Sequence, residues 1–213
     1  MGEIIQGSPE WFAARAGKVT ASRVADVLSK GRDGESASRK NYKADLVVER
    51  LTQQKTAGFS SSSMQWGIDT EHQARAAYEV TTCDFVEQIA FVDHPSIVNF
   101  GCSPDGLVGD EGLIEIKCPN TATHLDYLEA DAPPKKYFIQ MQSQMAVTGR
   151  KWCDFVSFDP RLPDGLEMLI VRVNRDDKYI EIMETEVSKF LQEVDNKVES
   201  LTKRNDKGAL STK

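Results

Sequence analysis

Gly101-Cys102-Ser103-Pro104-Asp105-Gly106-Leu107-Val108-Gly109-Asp110-Glu111-Gly112-Leu113-Ile114-Glu115-Ile116-Lys117-Cys118-Pro119 is the stretch from which the rest of the chain is read. Its second half alternates from Leu113 to Lys117. In a strand, side chains at i and i+2 share a face. Glu115 and Lys117 therefore point one way, and Ile114 and Ile116 point the other way into a core. Pro119 ends the strand, since proline has no amide to donate. Ser103 to Gly106 reads as a strand end and turn. Gly109-Asp110-Glu111-Gly112 reads as a hairpin loop that returns the chain and brings Asp105 beside Glu115.

Two carboxylates and a lysine held this way suit metal-assisted cleavage of a phosphodiester. Mg²⁺ prefers oxygen ligands and binds through one or two carboxylates, water and substrate phosphate. Asp105 can bridge metals, Glu115 can complete the site and the Ile116 carbonyl can add an oxygen. Such a site acidifies a bound water and stabilises charge on the phosphate. Lys117 can orient the attacking water and offset developing charge. The plainer alternative is an exposed hairpin carrying a Glu–Lys pair, which contributes little. Glu-x-Lys alone is a common pattern; the upstream Pro104-Asp105 and the alternation are what favour the site.

Outward from this segment the chain reads as mixed α/β. Towards the N-terminus, Glu10 to Leu28 has helical spacing, with Thr20-Ala21-Ser22 as a cap region before Val24, Val27 and Leu28. Lys30 to Ser38 reads as a loop, and Asn41 to Leu51 as a helix burying Leu46, Val47 and Leu51. Gly58-Phe59 and the four serines after it form a connection, followed by a helix over about Ile68 to Val80. Strands are expected at Phe85–Val92, Val98–Ser103, Leu113–Lys117, Trp152–Phe158, Glu167–Val173 and Tyr179–Met183, with a helix at Tyr137–Val147. Thr185 to Leu201 is the clearest helix, with Val187, Phe190, Leu191, Val194, Val198 and Leu201 on one stripe. After Lys203 a polar tail is expected to fray.

The chain of 213 residues suits one domain. Within it, residues 1–80 are mainly helical, 81–183 form a sheet core, 184–202 a C-terminal helix and 203–213 a tail. Hydrophobic residues make up 40% and charged residues 28%, which is ordinary for a globular protein. No apolar run approaches the ~18 residues of a membrane span. Met1 to Gln6 lacks a signal-peptide pattern, so no membrane partner and a cytoplasmic location are expected. Cys83, Cys102, Cys118 and Cys153 form no C-x-x-C pair and read as reduced thiols rather than a zinc site or disulfides. His72, His94 and His124 show no ligand spacing. The net charge of −7 argues weakly against a nucleic-acid partner. Yet from Arg15 to Lys43 eight basic residues stand against three acidic ones, Asp26, Asp33 and Glu35. That stretch reads either as a solvated loop or as a phosphate-binding surface.

The placing of Asp105, Glu115 and Lys117 resembles the PD-(D/E)-x-K nuclease pattern. More narrowly, Ser103-Pro104-Asp105-Gly106-Leu107 followed by Leu113 to Pro119 is similar to the phage lambda exonuclease and YqaJ-type viral recombinase nucleases. So are Trp11 to Arg15 with Thr20-Ala21-Ser22, Trp66-Gly67 with Glu71, and Gln140-Met141-Gln142, in the same order. The resemblance runs from about Trp11 to Met183 and is poor over Ser29 to Ser63.

That resemblance implies a restriction-endonuclease-like core, a central mixed β-sheet flanked by helices. It implies two Mg²⁺ ions, replaceable by Mn²⁺, held by Asp105, Glu115 and the Ile116 carbonyl, with Lys117 assisting the nucleophile. Glu71 and Gln140 would line the site from two helices; read without the family, each is a surface helix residue. Arg15, Ser22 and Ser103 would bind a terminal 5′-phosphate, although Ser22 alone reads as a helix cap. Arg32 would contact DNA, Met64 would act as an apolar wedge between strands, and Asp93 is a further candidate acid. The implied activity is 5′→3′ digestion of linear double-stranded DNA from a 5′-phosphorylated end. It would release 5′-mononucleotides and leave a 3′ overhang for phage-type recombination. The implied partners are two further copies in a homotrimeric ring and a single-strand annealing protein. The rivals are a restriction-type or junction-resolving endonuclease on the same core, and a catalytically silent DNA-binding module.

Overall fold

A computed structural model describes residues 5–32, 34–55 and 61–210. Asp33 of the basic stretch and the Gly58-Phe59-Ser60 part of the expected connection lie outside the described residues, as do the first four and last three.

The first helix, α1 (Pro9–Arg15), has Pro9 at its first position and is capped by Ser8, whose hydroxyl accepts from the Trp11 amide. It does not continue to Leu28 as the apolar spacing suggests. Gly17 adopts a left-handed φ of +72°, open to glycine at no steric cost, and redirects the chain. Its amide donates to the Glu49 carboxylate at 2.8 Å and its carbonyl accepts from Arg50 at 2.8 Å. The residues beyond it form β1 (Val19–Thr20), which pairs in parallel with β6 (Phe100–Cys102). A 3₁₀ turn over Ala21–Arg23 leads into the short α2 (Val24–Val27). Arg23 holds its cap position, while Thr20 stands at the cap of the 3₁₀ turn without a side-chain cap bond; the Thr20 and Ser22 hydroxyls lie 3.3 Å from each other.

The expected loop holds a small hairpin, β2 (Lys30–Gly31) with β3 (Gly34–Glu35). Ser36 then caps α3 (Ala37–Thr52) by accepting from the Arg39 amide. Leu46 and Val47 are buried as expected, but Leu51 is exposed. α4 (Ser62–Thr82) starts earlier than the spacing suggests, because Ser61 caps it.

The expected strand at Phe85–Val92 is two strands in different sheets, β4 (Val86–Glu87) and β5 (Val92–Asp93). β7 (Gly106–Val108) and β8 (Gly112–Lys117) form the expected hairpin, with Gly106 opposite Ile114 and Val108 opposite Gly112. β8 then pairs in parallel with β9 (Trp152–Phe158), which requires a crossover. Two helices make it: α5 (Thr121–Ala130), capped by Asn120 and not expected from the sequence, and α6 (Lys135–Thr148). β10 (Met168–Asn174) completes a five-stranded mixed sheet in the order β10-β9-β8-β7-β4, with β8 at its centre.

Helices cover both faces of that sheet. Ile114 and Ile116 pack with Ala74 and Tyr78 of α4 on one side. Leu113 packs with Met141 and Met145 of α6 and with Phe155 on the other. Burying side chains of this size contributes roughly 1.5–3 kcal/mol each. The class is mixed α/β, as the alternation of elements suggests. Tyr179–Met183 is not a strand. It opens α7 (Asp177–Leu210), which extends the helix into the expected tail as far as Leu210. Asp176 sets the start by accepting from the Tyr179 amide, and Ile180 and Met183 join Val187, Phe190, Leu191 and Val194 in the buried stripe.

α3 and α7 are clamped by charge. Arg39 donates to both Glu193 oxygens at 2.9 and 2.8 Å, and Lys43 reaches the same carboxylate at 2.8 Å. The hydrogen bond from Arg39 is the largest influence pulling the Glu193 pKa from 4.5 to about 2. A carboxylate depressed on folding contributes stability above its unfolded pKa and loses it as pH falls through the folded one. Glu193→Gln should therefore melt below the parent at pH 7, with the gap closing between about pH 4.5 and 2. A gap constant across that range in thermal melts would remove the clamp from the stability of the fold.

Candidate active site

The β7–β8 hairpin places three oxygens together. Gly106 allows β7 to lie close to β4, since a Cβ there would sit 2.1 Å from Val86 Cγ1. Asp105, just before it, accepts the Ile116 amide on Oδ2 at 2.7 Å, which fixes its carboxylate against β8. Glu115 and Lys117 share a face as the alternation requires, and the Lys117 ammonium contacts Glu115 Oε1 directly. The same ammonium donates to the Ile116 carbonyl at 2.9 Å and stands 4.0 Å from Asp105 Oδ2. It also lies 5.4 Å from the centre of the Tyr137 ring.

Glu115 is completely buried, and α6 supplies its hydrogen bonds. Gln140 donates to Oε1 at 2.6 Å and Gln144 to Oε2 at 2.6 Å. Gln140 is thus not a free surface amide. Sequence reasoning misses Gln144, which is wholly buried. The signal that points to it is the i, i+4 spacing, which stacks two amides on one helix face. Burial pushes the Glu115 pKa up to about 7, against the pull of Lys117. Burial lowers that of Lys117, but Glu115 and Asp105 outweigh it and the net shift is upward. Glu71 on α4 accepts from Arg75 at 2.5 Å. Its pKa is raised by burial and then by the charge of Asp105.

A second group lies beside the hairpin. Ser103 Oγ accepts from Arg15 Nη1 at 3.0 Å and from Trp11 Nε1 at 2.9 Å. The Arg15 guanidinium lies 3.9 Å over the Trp11 ring, and burial lowers its pKa. Thr20 pairs with Gly101 in the parallel β1–β6 ladder. Ser22 and Ser103 each follow two residues later, so both lie at the same end of that ladder.

The other sequence candidates stand outside these groups. Asp93 accepts from Lys18 at 2.6 Å. Arg32 is exposed at the β2–β3 turn, and Met64 is exposed in the first turn of α4. Much of the basic stretch is already paired: Lys18 with Asp93, Arg23 with Asp26, and Arg39 and Lys43 with Glu35 and Glu193. Lys30, Arg32 and Lys40 are exposed.

Among the described residues, no group of three or more His, Cys, Asp or Glu side chains could hold a metal ion. The oxygens of Asp105, Glu115 and the Ile116 carbonyl nevertheless converge on a single cation, the Lys117 ammonium. An all-oxygen set of two carboxylates and a carbonyl fits Mg²⁺, which leaves its other positions to water and phosphate.

Comparison with known proteins bears on the fold and the site together. No curated protein sequence matches the chain. The alkaline exonuclease (LHK-Exo) from Laribacter hongkongensis shares 51% identity, covering 94% of this chain and 99% of its own, with a TM-score of 0.89. Its complex with dAMP matches at 52% identity over the same shares, also with a TM-score of 0.89. A phage-related exonuclease from Haemophilus somnus 129PT shares the fold, with a TM-score of 0.71 at 19% identity over 86% of this chain and 96% of that one. The pattern of the YqaJ-like viral recombinase domain matches residues 10–151. With more than half of its length so matched, and a relative 51% identical along nearly all of it, the chain belongs to the family of YqaJ-like viral recombinase domains.

Proposed function

We propose that this protein is a Mg²⁺-dependent 5′→3′ exonuclease on linear double-stranded DNA, releasing 5′-mononucleotides and leaving a 3′ overhang. The observation that carries it is the convergence of Asp105, Glu115 and the Ile116 carbonyl on one cationic position. The 51% identical relative is an alkaline exonuclease, and that enzyme is also seen with dAMP, a mononucleotide.

Asp105, Glu115 and the Ile116 carbonyl would hold the metal, two ions by the family resemblance. When bound, Mg²⁺ supplies Lewis acidity and lowers the pKa of water. The protein supplies the rest. Gln140 and Gln144 fix both oxygens of Glu115, so its carboxylate cannot rotate away. Lys117 offers a mobile ammonium that can donate to the attacking water or the phosphate as charge develops. Glu71 on α4, whose pKa is raised in part by the charge of Asp105, would add a further carboxylate.

Arg15, Ser22 and Ser103 would receive the terminal 5′-phosphate. Arg15 presents a planar fork of donors suited to that group. A 5′-phosphorylated duplex end should be digested faster than a 5′-hydroxyl end, by about tenfold or more for charge-assisted hydrogen bonds. Arg15→Ala should flatten the difference in a paired digestion assay. Equal rates on both ends with the unaltered protein would sink this assignment.

The family resemblance also supports a homotrimeric ring, Mn²⁺ as a substitute, and a single-strand annealing protein as partner. In such a ring, Lys30, Arg32 and Lys40 are the exposed cations of the basic stretch available to a shared channel. Among the described residues no helix is long and apolar enough to cross a membrane. The test is digestion of linear and covalently closed circular duplex, with and without Mg²⁺. The expected result is loss of the linear form alone, and only with metal. Cutting of the circle would turn the reading to an endonuclease, and survival of both forms to a silent DNA-binding module. Sedimentation equilibrium checks the ring: a fully active monomer at micromolar concentration would overturn it.

A further inference from the structure

The Lys117 ammonium sits where the metal is expected. Its three oxygen neighbours, Glu115 Oε1, the Ile116 carbonyl and, at 4.0 Å, Asp105 Oδ2, are the three assigned above to Mg²⁺. The reason lies in Glu115. A completely buried carboxylate is costly unless it is both hydrogen-bonded and balanced by opposite charge. Gln140 and Gln144 satisfy its hydrogen bonds but bring no charge. Arg75, the cation that α4 offers, is bonded to Glu71. Lys117 is the group that neutralises Glu115.

A divalent ion and an ammonium cannot share the same three oxygens, because like charges at contact distance repel strongly in a poorly solvated site. We propose that Lys117 is a resident stand-in for the metal, and that metal loading displaces its ammonium from Glu115 and the Ile116 carbonyl. This rests on the metal reading of the same site. Lysine suits this role, because its charge is a point at the end of a flexible four-carbon stem, whereas a guanidinium is a rigid planar fork. The side chain keeps 26% exposure, so its ammonium can swing outward on the flexible stem. The displacement imposes an order. While the site lacks metal, the ammonium is tied to Glu115 and cannot serve the phosphate. Metal entry both builds the site and releases the lysine for chemistry. It also sets a competition in which the lysine weakens metal binding.

The experiment is Mn²⁺ binding to the full chain without DNA, followed by electron paramagnetic resonance, for the parent and Lys117→Met. Methionine keeps much of the length of the stem and removes the charge. The variant is expected to bind Mn²⁺ about tenfold tighter, the scale of one modest charge–charge term. A folded variant that binds equally or more weakly overturns the displacement, while absence of Mn²⁺ binding by both proteins overturns the metal reading itself. A second measurement does not depend on the variant folding. In the parent labelled with ¹⁵N-lysine, the Lys117 Nζ resonance should shift on saturation with Mg²⁺ in the absence of DNA. A resonance unmoved by saturating metal overturns the proposal.

Discussion

Asp105→Asn is expected to lower single-turnover digestion of a linear duplex by at least about a thousandfold, the scale on which loss of metal-based charge stabilisation acts. It should do so with little change in melting temperature. Asp105 Oδ2 accepts the Ile116 amide at 2.7 Å, and the side-chain oxygen of asparagine can keep that bond. The hairpin contact survives while the negative charge is lost. Near-parent turnover in Mg²⁺ by the folded variant would show that Asp105 holds no metal needed for the reaction. Glu115→Ala is a poorer probe. It strips the acceptor from both Gln140 and Gln144 and leaves Lys117 without its counter-charge, so it disturbs the fold along with the site. Removing one partner of a buried pair commonly costs about 3–5 kcal/mol.

Lys117→Met is expected to slow the chemical step by about a hundred- to a thousandfold at saturating Mg²⁺, as loss of a donor aimed at developing charge does. DNA binding should change little, because on the proposed reading the residue acts at the reacting phosphate, and the exposed cations of the basic stretch remain in place. Single-turnover kinetics on a 5′-phosphorylated duplex would separate the two effects. An unchanged rate constant would remove Lys117 from the reaction and leave it a purely electrostatic partner of Glu115.

The two halves of this site differ in how openly the sequence declares them. The β8 face is legible because alternation, a following proline and an upstream hairpin loop all agree on one register. β9 is legible to the residue, since Trp152–Phe158 is mostly apolar and bounded on both sides. Gln144 is not legible as a site residue. Its partner Glu115 lies 29 residues away, and the one local signal is its i, i+4 spacing from Gln140, which by itself marks only a shared helix face. Long-range pairing also hides the fate of the basic stretch, because Arg39 and Lys43 find Glu193 about 150 residues downstream. Tyr179–Met183 reads as a strand because its residues favour one locally. The packing of Ile180 and Met183 into the α7 stripe overrides that preference. The expected helix from Glu10 to Leu28 fails on the single residue Gly17, whose backbone is held from α3, a segment that local spacing does not see.

The position of β8 at the centre of the sheet, covered on both faces, has a further consequence for fidelity. In a strand, slipping by one residue sends every side chain to the opposite face. A molecule that paired β8 one place out against β7 and β9 would drive Glu115 and Lys117 into the apolar layer beneath α4. It would also turn Ile114 and Ile116 towards the amides of α6. Such a chain would lose its core in the same step as its site. The six residues from Gly112 to Lys117 thus carry the folding instruction and the chemical one together. A misregistered copy would not persist as a stable but inert protein: the error in chemistry announces itself as an error in folding, open to proteolysis.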